Sequence, residues 1–105
     1  MVHLVVLCKL NENVSQKNLE EMARSARSQL LKIPEVLAVR SGKRIKPDNE
    51  WPFFYSVDVE SMDKLEMFRD DPVLIRFVER VIKPNTWTVQ ELVYELHPGK
   101  DVKYS

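Results

Sequence analysis

The apolar and polar positions at the start of the chain follow first a strand-like and then a helical pattern. Met1–Leu10 is a short apolar run rich in valine, which predicts a strand covered on both faces. Ser15 is placed to act as the N-cap of a following helix. That helix is expected to end near Lys32, because Pro34 disfavours helical geometry at the residue before it. One face of the helix carries the apolar residues at helical spacing, Leu19, Met22, Ala23, Ala26 and Leu30.

Two further strands are predicted in the middle of the chain. Val36–Ile45 alternates and contains Gly42, which indicates a strand with a bulge or a close backbone approach at the glycine. Phe53–Glu60 alternates most clearly, since β-branched and aromatic residues dominate it. One of its faces holds Phe53, Tyr55, Val57 and Val59, and the other holds Phe54, Ser56 and Asp58.

The last third of the chain predicts two helices and a final strand. Ser61 is placed to cap a short helix that ends near Arg69. Pro72 then opens a second helix, which Pro84 closes. Trp87–Leu96 is the last strand. The resulting order, β-α-β-β-α-α-β, is typical of a ferredoxin-like α+β fold with a four-stranded antiparallel sheet and helices on one face.

Helices on one face of such a sheet leave the other face open. The alternation places on that open face the apolar side chains of Val2, Leu4, Val6, Phe54, Leu92 and Tyr94. Soluble monomers rarely expose a contiguous apolar patch of more than a few hundred Å². The pattern therefore predicts a homodimer in which two copies meet through their open faces, as in a dimeric α/β barrel.

Composition narrows the class of protein further. The chain has 105 residues, 44% of them hydrophobic and 30% charged, with 16 basic and 16 acidic side chains. Residues 1–97 are expected to form one domain, with a tail over 98–105. Balanced charge argues against nucleic-acid binding, and no apolar run is long enough to span a membrane. The lone Cys8 excludes an internal disulfide and any CxxC zinc or redox site. A cytoplasmic protein without metal or cofactor is expected.

Several short strings, in this order, resemble the stress-responsive A/B barrel (Dabb) family of dimeric α/β barrels. The strings are His3-Leu4-Val5-Val6-Leu7 with Lys9, Ile33-Pro34, Gly42-Lys43, Val59-Glu60-Ser61, and Asp71-Pro72 followed by Phe77. The resemblance covers about Val2 to Leu96. It implies the same fold and a range of functions, from small stress-associated proteins to cofactor-free polyketide cyclases of the olivetolic acid cyclase type.

In those cyclases two histidines, a tyrosine and a third histidine supply the acid–base chemistry. The first of these positions falls on His3, which matches. The others fall on Phe53, Phe68 and Leu74, which carry no group that can move a proton. An acidic residue near the end of the fourth strand corresponds to Glu95. The cyclase mechanism is therefore not supported as it stands, and a non-catalytic stress-response or structural role is the alternative.

His3 is the main candidate for proton transfer, since histidine ordinarily gains and loses a proton near neutral pH. Tyr55 and Glu95 are its candidate assistants, with Tyr55 assigned to a pocket between sheet and helices. Asp58 lies on the other face of its strand, where it either stays solvated near the end of the barrel or forms an ion pair at the dimer interface, with Arg40 or Lys9 as its partner. The ligand is expected to be an apolar or aromatic small molecule such as a polyketide-like intermediate. Its predicted contacts are Val5, Leu7, Met22, Trp51, Phe53, Val57, Met67, Phe68 and Leu74.

Aromatic and basic residues also cluster near the loop between the second and third strands. The aromatic residues Trp51, Phe53, Phe54, Tyr55 and Trp87 are predicted to converge at one end of the fold, either as core or as a pocket mouth. The basic run is Arg40, Lys43, Arg44 and Lys46. It is consistent with a solvated strand edge or with attraction of an anionic ligand.

Overall fold

A computed structural model describes residues 1–98, and its elements follow the predicted order. The strands and α-helices are β1 (Val2–Leu10), α1 (Gln16–Leu30), β2 (Ala38–Lys43), β3 (Phe53–Val59), α2 (Met62–Arg69), α3 (Pro72–Phe77) and β4 (Thr86–Glu95). A π-helical turn over Val78–Ile82 and a 3₁₀ turn over Lys83–Asn85 continue α3. Apart from Pro98, the predicted tail lies outside the described residues.

The strands form one antiparallel sheet in the order β2-β3-β1-β4. The helices cover one face of this sheet, here called the helix face, and they leave the other, the open face, uncovered. This is the predicted ferredoxin-like α+β architecture. Strand β1 lies between β3 and β4 at the centre of the molecule, so a side chain on β1 has cross-strand neighbours on both sides.

Side chains at the helix starts explain where the helices begin. Ser15 accepts a hydrogen bond from the backbone N–H of Asn18 at 3.1 Å, as the sequence predicts for an N-cap. Ser61 accepts one from Lys64 at 3.3 Å. Asp71 accepts one from Val73 at 2.8 Å, with Pro72 at the first helical position. These three caps satisfy backbone donors that the helices themselves leave unpaired.

Helix α1 is amphipathic, and its apolar side packs on the sheet. Met22, Ala26 and Leu30 are buried there, as the helical spacing predicts. Its charged residues lie on the other sides of the helix. Within residues 1–98, neither α1 nor any other helix combines the length and the apolar character that crossing a membrane requires.

The predicted assignment of β1 side chains to the two faces was wrong. The buried residues of β1 are Val2, Leu4, Val6 and Cys8, and they belong to the core beneath the helices. The open face carries instead the alternate set of β1, namely His3, Val5, Leu7 and Lys9, which are half-buried. The assignment of β3 was correct, because Phe53, Tyr55, Val57 and Val59 are all buried in the same core.

Gly42 on β2 leaves room for an aromatic ring of β3. Its pairing partner is Phe54, and the β2–β3 register continues without interruption past it, so the predicted bulge is absent. The predicted close approach is present, but it involves a side chain. A Cβ at position 42 would lie 2.6 Å from Cε1 of the Phe54 ring, which is shorter than real contacts allow.

We expect Gly42→Ala to lower the free energy of unfolding by about 1 kcal/mol, because the Phe54 ring must move to admit the methyl group. Alanine loses less conformational entropy on folding than a strand glycine does, and this offsets part of the cost. Denaturant unfolding measures the difference. Ser41→Ala, one residue earlier in β2, is the control and should change stability by less than about 0.5 kcal/mol. Equal stability of Gly42→Ala and the wild type would show that Phe54 moves freely.

Candidate functional site

The open face brings together a histidine and a carboxylate from neighbouring strands. His3 on β1 lies directly opposite Asp58 on β3 in the antiparallel register. Nδ1 of His3 is 2.5 Å from Oδ1 of Asp58. The two side chains are 22% and 12% exposed, so the pair is shielded from most of the solvent while still reachable. A histidine held this way by a carboxylate is an arrangement that can transfer protons.

Two other side chains flank this pair. Nη1 of Arg40 on β2 is 3.8 Å from Oδ2 of Asp58, so the predicted Asp58–Arg40 ion pair is present. Tyr94 on β4 lies opposite His3 on its other side and is half-exposed. Lys9, the other predicted partner of Asp58, lies elsewhere: its Nζ is 3.9 Å from Oε1 of Glu50.

The structure separates His3 from both of its predicted assistants. Tyr55 pairs with Val6 in the register and is buried on the helix face, where its ring meets that of Phe77 edge to face at 5.4 Å. Glu95 pairs with Val2, which also lies on the helix face. Neither side chain shares a face with His3, so the prediction that Tyr55 and Glu95 assist His3 was wrong. Asp58 and Tyr94 occupy the positions beside His3 instead.

The predicted pocket between sheet and helices is filled by its own side chains. Phe53, Val57, Met22 and Phe68 are each no more than 2% exposed and pack against one another in the core. Leu74 packs at the edge of that core, half-buried.

The remaining predicted pocket residues lie elsewhere in the molecule. Met67 is half-exposed on α2. Val5 and Leu7 lie on the open face with His3, and Trp51 lies beside a groove at the end of that face. The predicted place of this pocket was therefore wrong.

The helix face holds two titratable groups whose ionisation is disfavoured. Cys8 is fully buried, as predicted, and burial raises the pKa of its thiol from 9.0 to about 12. Burial also raises the pKa of the Tyr55 phenol above its ordinary value. Both groups are neutral in the folded protein at physiological pH, and both are unsuited to act as bases or nucleophiles there.

These raised pKa values predict a loss of stability at alkaline pH. Above about pH 10 an unfolded chain loses the Tyr55 phenol proton while the folded chain keeps it, so stability falls as pH rises. The limiting slope for one group is about 1.4 kcal/mol per pH unit. Cys8 adds a similar loss between pH 9.0 and about 12. Tyr55→Phe should flatten the profile above about pH 10.

Denaturant unfolding at a series of pH values measures this slope. Identical slopes for wild type and Tyr55→Phe between about pH 10 and 11 would contradict the burial argument.

A groove lies at the end of the open face that is remote from His3. Its volume is about 780 Å³, and its lining includes Leu7, Phe54 and Trp51 with residues of the β2–β3 loop. Lys9 lies between the two tryptophans, with Nζ 4.9 Å from the ring centroid of Trp51 and 5.4 Å from that of Trp87. The predicted convergence therefore holds for Trp51 and Trp87, whereas Phe53 and Tyr55 lie in the core.

The described part of the chain offers no donor set for a metal ion. Among residues 1–98, no three or more His, Cys, Asp or Glu side chains are grouped so that they could hold one. The chemistry available at the open face is that of the His3 imidazole, the Asp58 carboxylate and their neighbours.

Comparisons with known proteins agree with this architecture. The model of the family described as Stress responsive A/B Barrel Domain matches residues 2–94. A search of curated proteins found no significant match.

Three similar solved structures extend over nearly the whole fold. A protein from Arabidopsis thaliana has a TM-score of 0.83 at 17% identity, over 95% of this chain and 99% of the other. A dimeric ferredoxin-like protein from Thermobifida fusca has a TM-score of 0.80 at 17% identity, over 90% of each chain. The hydroxynitrile lyase from Passiflora edulis has a TM-score of 0.79 at 16% identity, over 94% and 95%. At these identities the likeness establishes the fold.

Proposed function

This chain belongs to the stress responsive A/B barrel (Dabb) family. From that premise we propose that it is a homodimer that binds a small apolar or aromatic molecule. In this proposal the protein moves a proton on the bound molecule without a cofactor. The observation that carries the proposal is the His3–Asp58 pair on the open face. Around it lie the half-buried apolar side chains of Val5 and Leu7, which suit an apolar ligand.

The chemistry of this pair is that of a general base with an orienting carboxylate. Asp58 accepts the Nδ1–H of His3, and this leaves Nε2 as the ring nitrogen with a free lone pair. In the proposed step, Nε2 takes a proton from a carbon next to a carbonyl, and the C–H electron pair moves into the forming enolate. The Asp58 carboxylate then stabilises the imidazolium. The same Nε2–H can return the proton to the product, so no net proton is consumed.

Tyr94 is the group best placed to meet the developing negative charge. It lies opposite His3 on β4, and directly opposed residues of an antiparallel pair have Cβ atoms about 4.5–5.5 Å apart. A phenol on the same face can donate a hydrogen bond to an enolate oxygen. Tyr94 thus takes the role predicted from the sequence for Tyr55.

A second copy of the chain is proposed to cover the open face. Its apolar side chains, among them Val5 and Leu92, are only half-buried in the single chain, and the similar protein from Thermobifida fusca is dimeric. Covering the face would exclude water from the His3–Asp58 pair, and a lower local dielectric strengthens its electrostatic interactions. The enclosed space between the two sheets would then hold the ligand.

We expect Leu92→Asp to dissociate this dimer, weakening self-association by at least about 10²-fold, because a carboxylate without a partner would be buried between the sheets. Sedimentation velocity at micromolar concentration measures the effect. Ile75→Asp places the same charge on a half-exposed site of α3 and should leave the association unchanged. A wild-type protein that sediments with the mass of one chain would refute the dimer.

A generic proton-abstraction reaction tests the catalytic part of the proposal. 5-Nitrobenzisoxazole is a planar aromatic compound whose ring opens when a base removes its C–H proton, and the product absorbs visible light. The wild-type protein should accelerate this reaction with saturation kinetics. His3→Ala should reduce the rate acceleration by about 10²-fold. His97→Ala removes the other histidine and is the matched control. Equal rates for wild type and His3→Ala would refute the proposed role of His3.

A non-catalytic role is the second candidate, and one observation favours it. Phe53 and Phe68 stand where the resemblance places a histidine and a tyrosine of the polyketide cyclases, and both are buried in the core. In this case the His3–Asp58 pair would stabilise the sheet, and the protein would bind a ligand without turning it over. The absence of any His3-dependent rate, together with an intact dimer, would support this candidate.

A further inference from the structure

The groove at the end of the open face has apolar walls of a kind that suits a planar ring. Leu7, Phe54 and Trp51 line it, and Ile45 at its rim is 96% exposed. Covering an exposed isoleucine with an apolar ligand is favourable, because it removes apolar surface from water. The groove volume of about 780 Å³ falls in the range of small-molecule sites.

The loop that forms one side of the groove is held in place by its own hydrogen bonds. Nη1 of Arg44 donates to the carbonyl oxygen of Asn49 at 2.8 Å, and the Arg44 N–H donates to the carbonyl of Pro52 at 2.9 Å. Oδ1 of Asn49 accepts from the Trp51 N–H at 2.9 Å. Because these bonds close the loop, a ligand would bind with little ordering cost.

The groove carries an excess of positive charge, although the chain as a whole is neutral. The formal net charge of the chain is zero. Three of the groove residues, Lys43, Arg44 and Lys46, are cationic, and one, Asp48, is anionic. Lys9 contacts the Trp51 ring, and its charge is compensated by Glu50, whose Oε1 is 3.9 Å from the Lys9 Nζ. The excess of cations at an otherwise apolar groove favours a ligand with one negative end.

We propose that this groove binds a planar aromatic carboxylate, with its ring against Trp51 and Phe54 and its carboxylate toward Lys43, Arg44 and Lys46. The inference rests on the proposed function and names the ligand class for the same face. Leu7 and His3 are four residues apart on β1, which corresponds to about 13 Å along the strand. A substrate anchored here by its carboxylate therefore presents its reacting carbon near the far end of the molecule.

A matched pair of ligands tests the proposal. 2-Naphthoate carries the negative charge, and 2-naphthamide has the same rings without it. Binding is followed by the indole N–H resonance of Trp51, which Trp51→Phe assigns among the two tryptophans of the chain. At low salt, naphthoate should bind at least about fivefold more tightly than the amide. Added salt should weaken the binding of naphthoate and leave that of the amide unchanged.

Charge variants locate the carboxylate. The double variant Lys43→Gln with Lys46→Gln should lose most of the preference for naphthoate, about fivefold. Lys32→Gln removes one exposed cation beyond α1 and should keep the preference. All three lysines are exposed, so these variants should fold as the wild type does.

The outcomes separate this inference from the proposed function. Equal binding of naphthoate and naphthamide at Trp51 would overturn the charge preference while leaving a small-molecule site in place. A Trp51 resonance that neither ligand shifts would overturn the groove as a binding site. The proton-abstraction assay with His3→Ala decides the proposed function by itself, since its readout does not depend on the groove.

Discussion

Replacing Phe68 by alanine is expected to lower the free energy of unfolding by about 4 kcal/mol. Phe68 has no exposed surface and packs in the core between α2 and the sheet. Its removal loses the transfer free energy of the ring and leaves a cavity that close-packed neighbours refill only in part. Denaturant unfolding monitored by the two tryptophans measures this loss.

The neighbouring residue on α2 provides a matched control. Met67 is 50% exposed, so Met67→Ala should cost less than about 0.5 kcal/mol, although the same segment carries both side chains. A loss below about 1 kcal/mol for Phe68→Ala would mean that Phe68 borders an open cavity. That result would restore the pocket between sheet and helices that was predicted from the sequence and that the packing of Phe68 argues against.

The order of elements was predictable because local signals mark most of its boundaries. Ser15, Ser61 and Pro72 begin helices in the structure where their capping chemistry places them. The π-helical turn over Val78–Ile82 has no such local signature, since its apolar residues fit a regular helix equally well. It is stabilised by contacts that follow it, among them the Thr86 hydroxyl donating to the carbonyl of Ile82 at 2.8 Å.

The faces of β1 were mistaken because both alternate sets of its side chains contain apolar residues. Val5 and Leu7 on the open face are the same residue types as Val6 and Leu4 in the core, so hydrophobicity by itself does not decide the face. A usable signal was present nonetheless. Only the set with His3 and Lys9 carries side chains that form strong hydrogen bonds with water, and such side chains favour the less buried face.

The candidate site was predicted in part. His3 was identified from the chain, and the Asp58–Arg40 ion pair was foreseen. The contact of His3 with Asp58 joins residues 55 positions apart, and it depends on the exact register of β1 against β3. A register shift of two residues would leave every side chain on its face and still separate His3 from Asp58, and no local feature of either strand excludes such a shift.

Asp58→Asn is expected to lower the rate of proton abstraction at saturating 5-nitrobenzisoxazole by about 10²-fold, with little change in KM. Asparagine has nearly the same shape, but its neutral amide does not stabilise the imidazolium that forms as His3 takes the proton. Its NH₂ group can also turn toward Nδ1 and favour the wrong tautomer. In the proposed step Asp58 is therefore a positioning residue that acts through His3.

The tautomer of His3 distinguishes this role from a structural one. In the wild-type protein, ¹⁵N NMR of the neutral ring should show a protonated Nδ1 and an unprotonated Nε2, since Asp58 accepts from Nδ1. Asp58→Asn should change this pattern. Arg40→Gln removes the other partner of Asp58, a 67% exposed side chain at 3.8 Å, and should lower the rate less than about threefold. If Asp58→Asn keeps both the wild-type tautomer and the wild-type rate, the carboxylate has no part in the chemistry, and His3 acts without it.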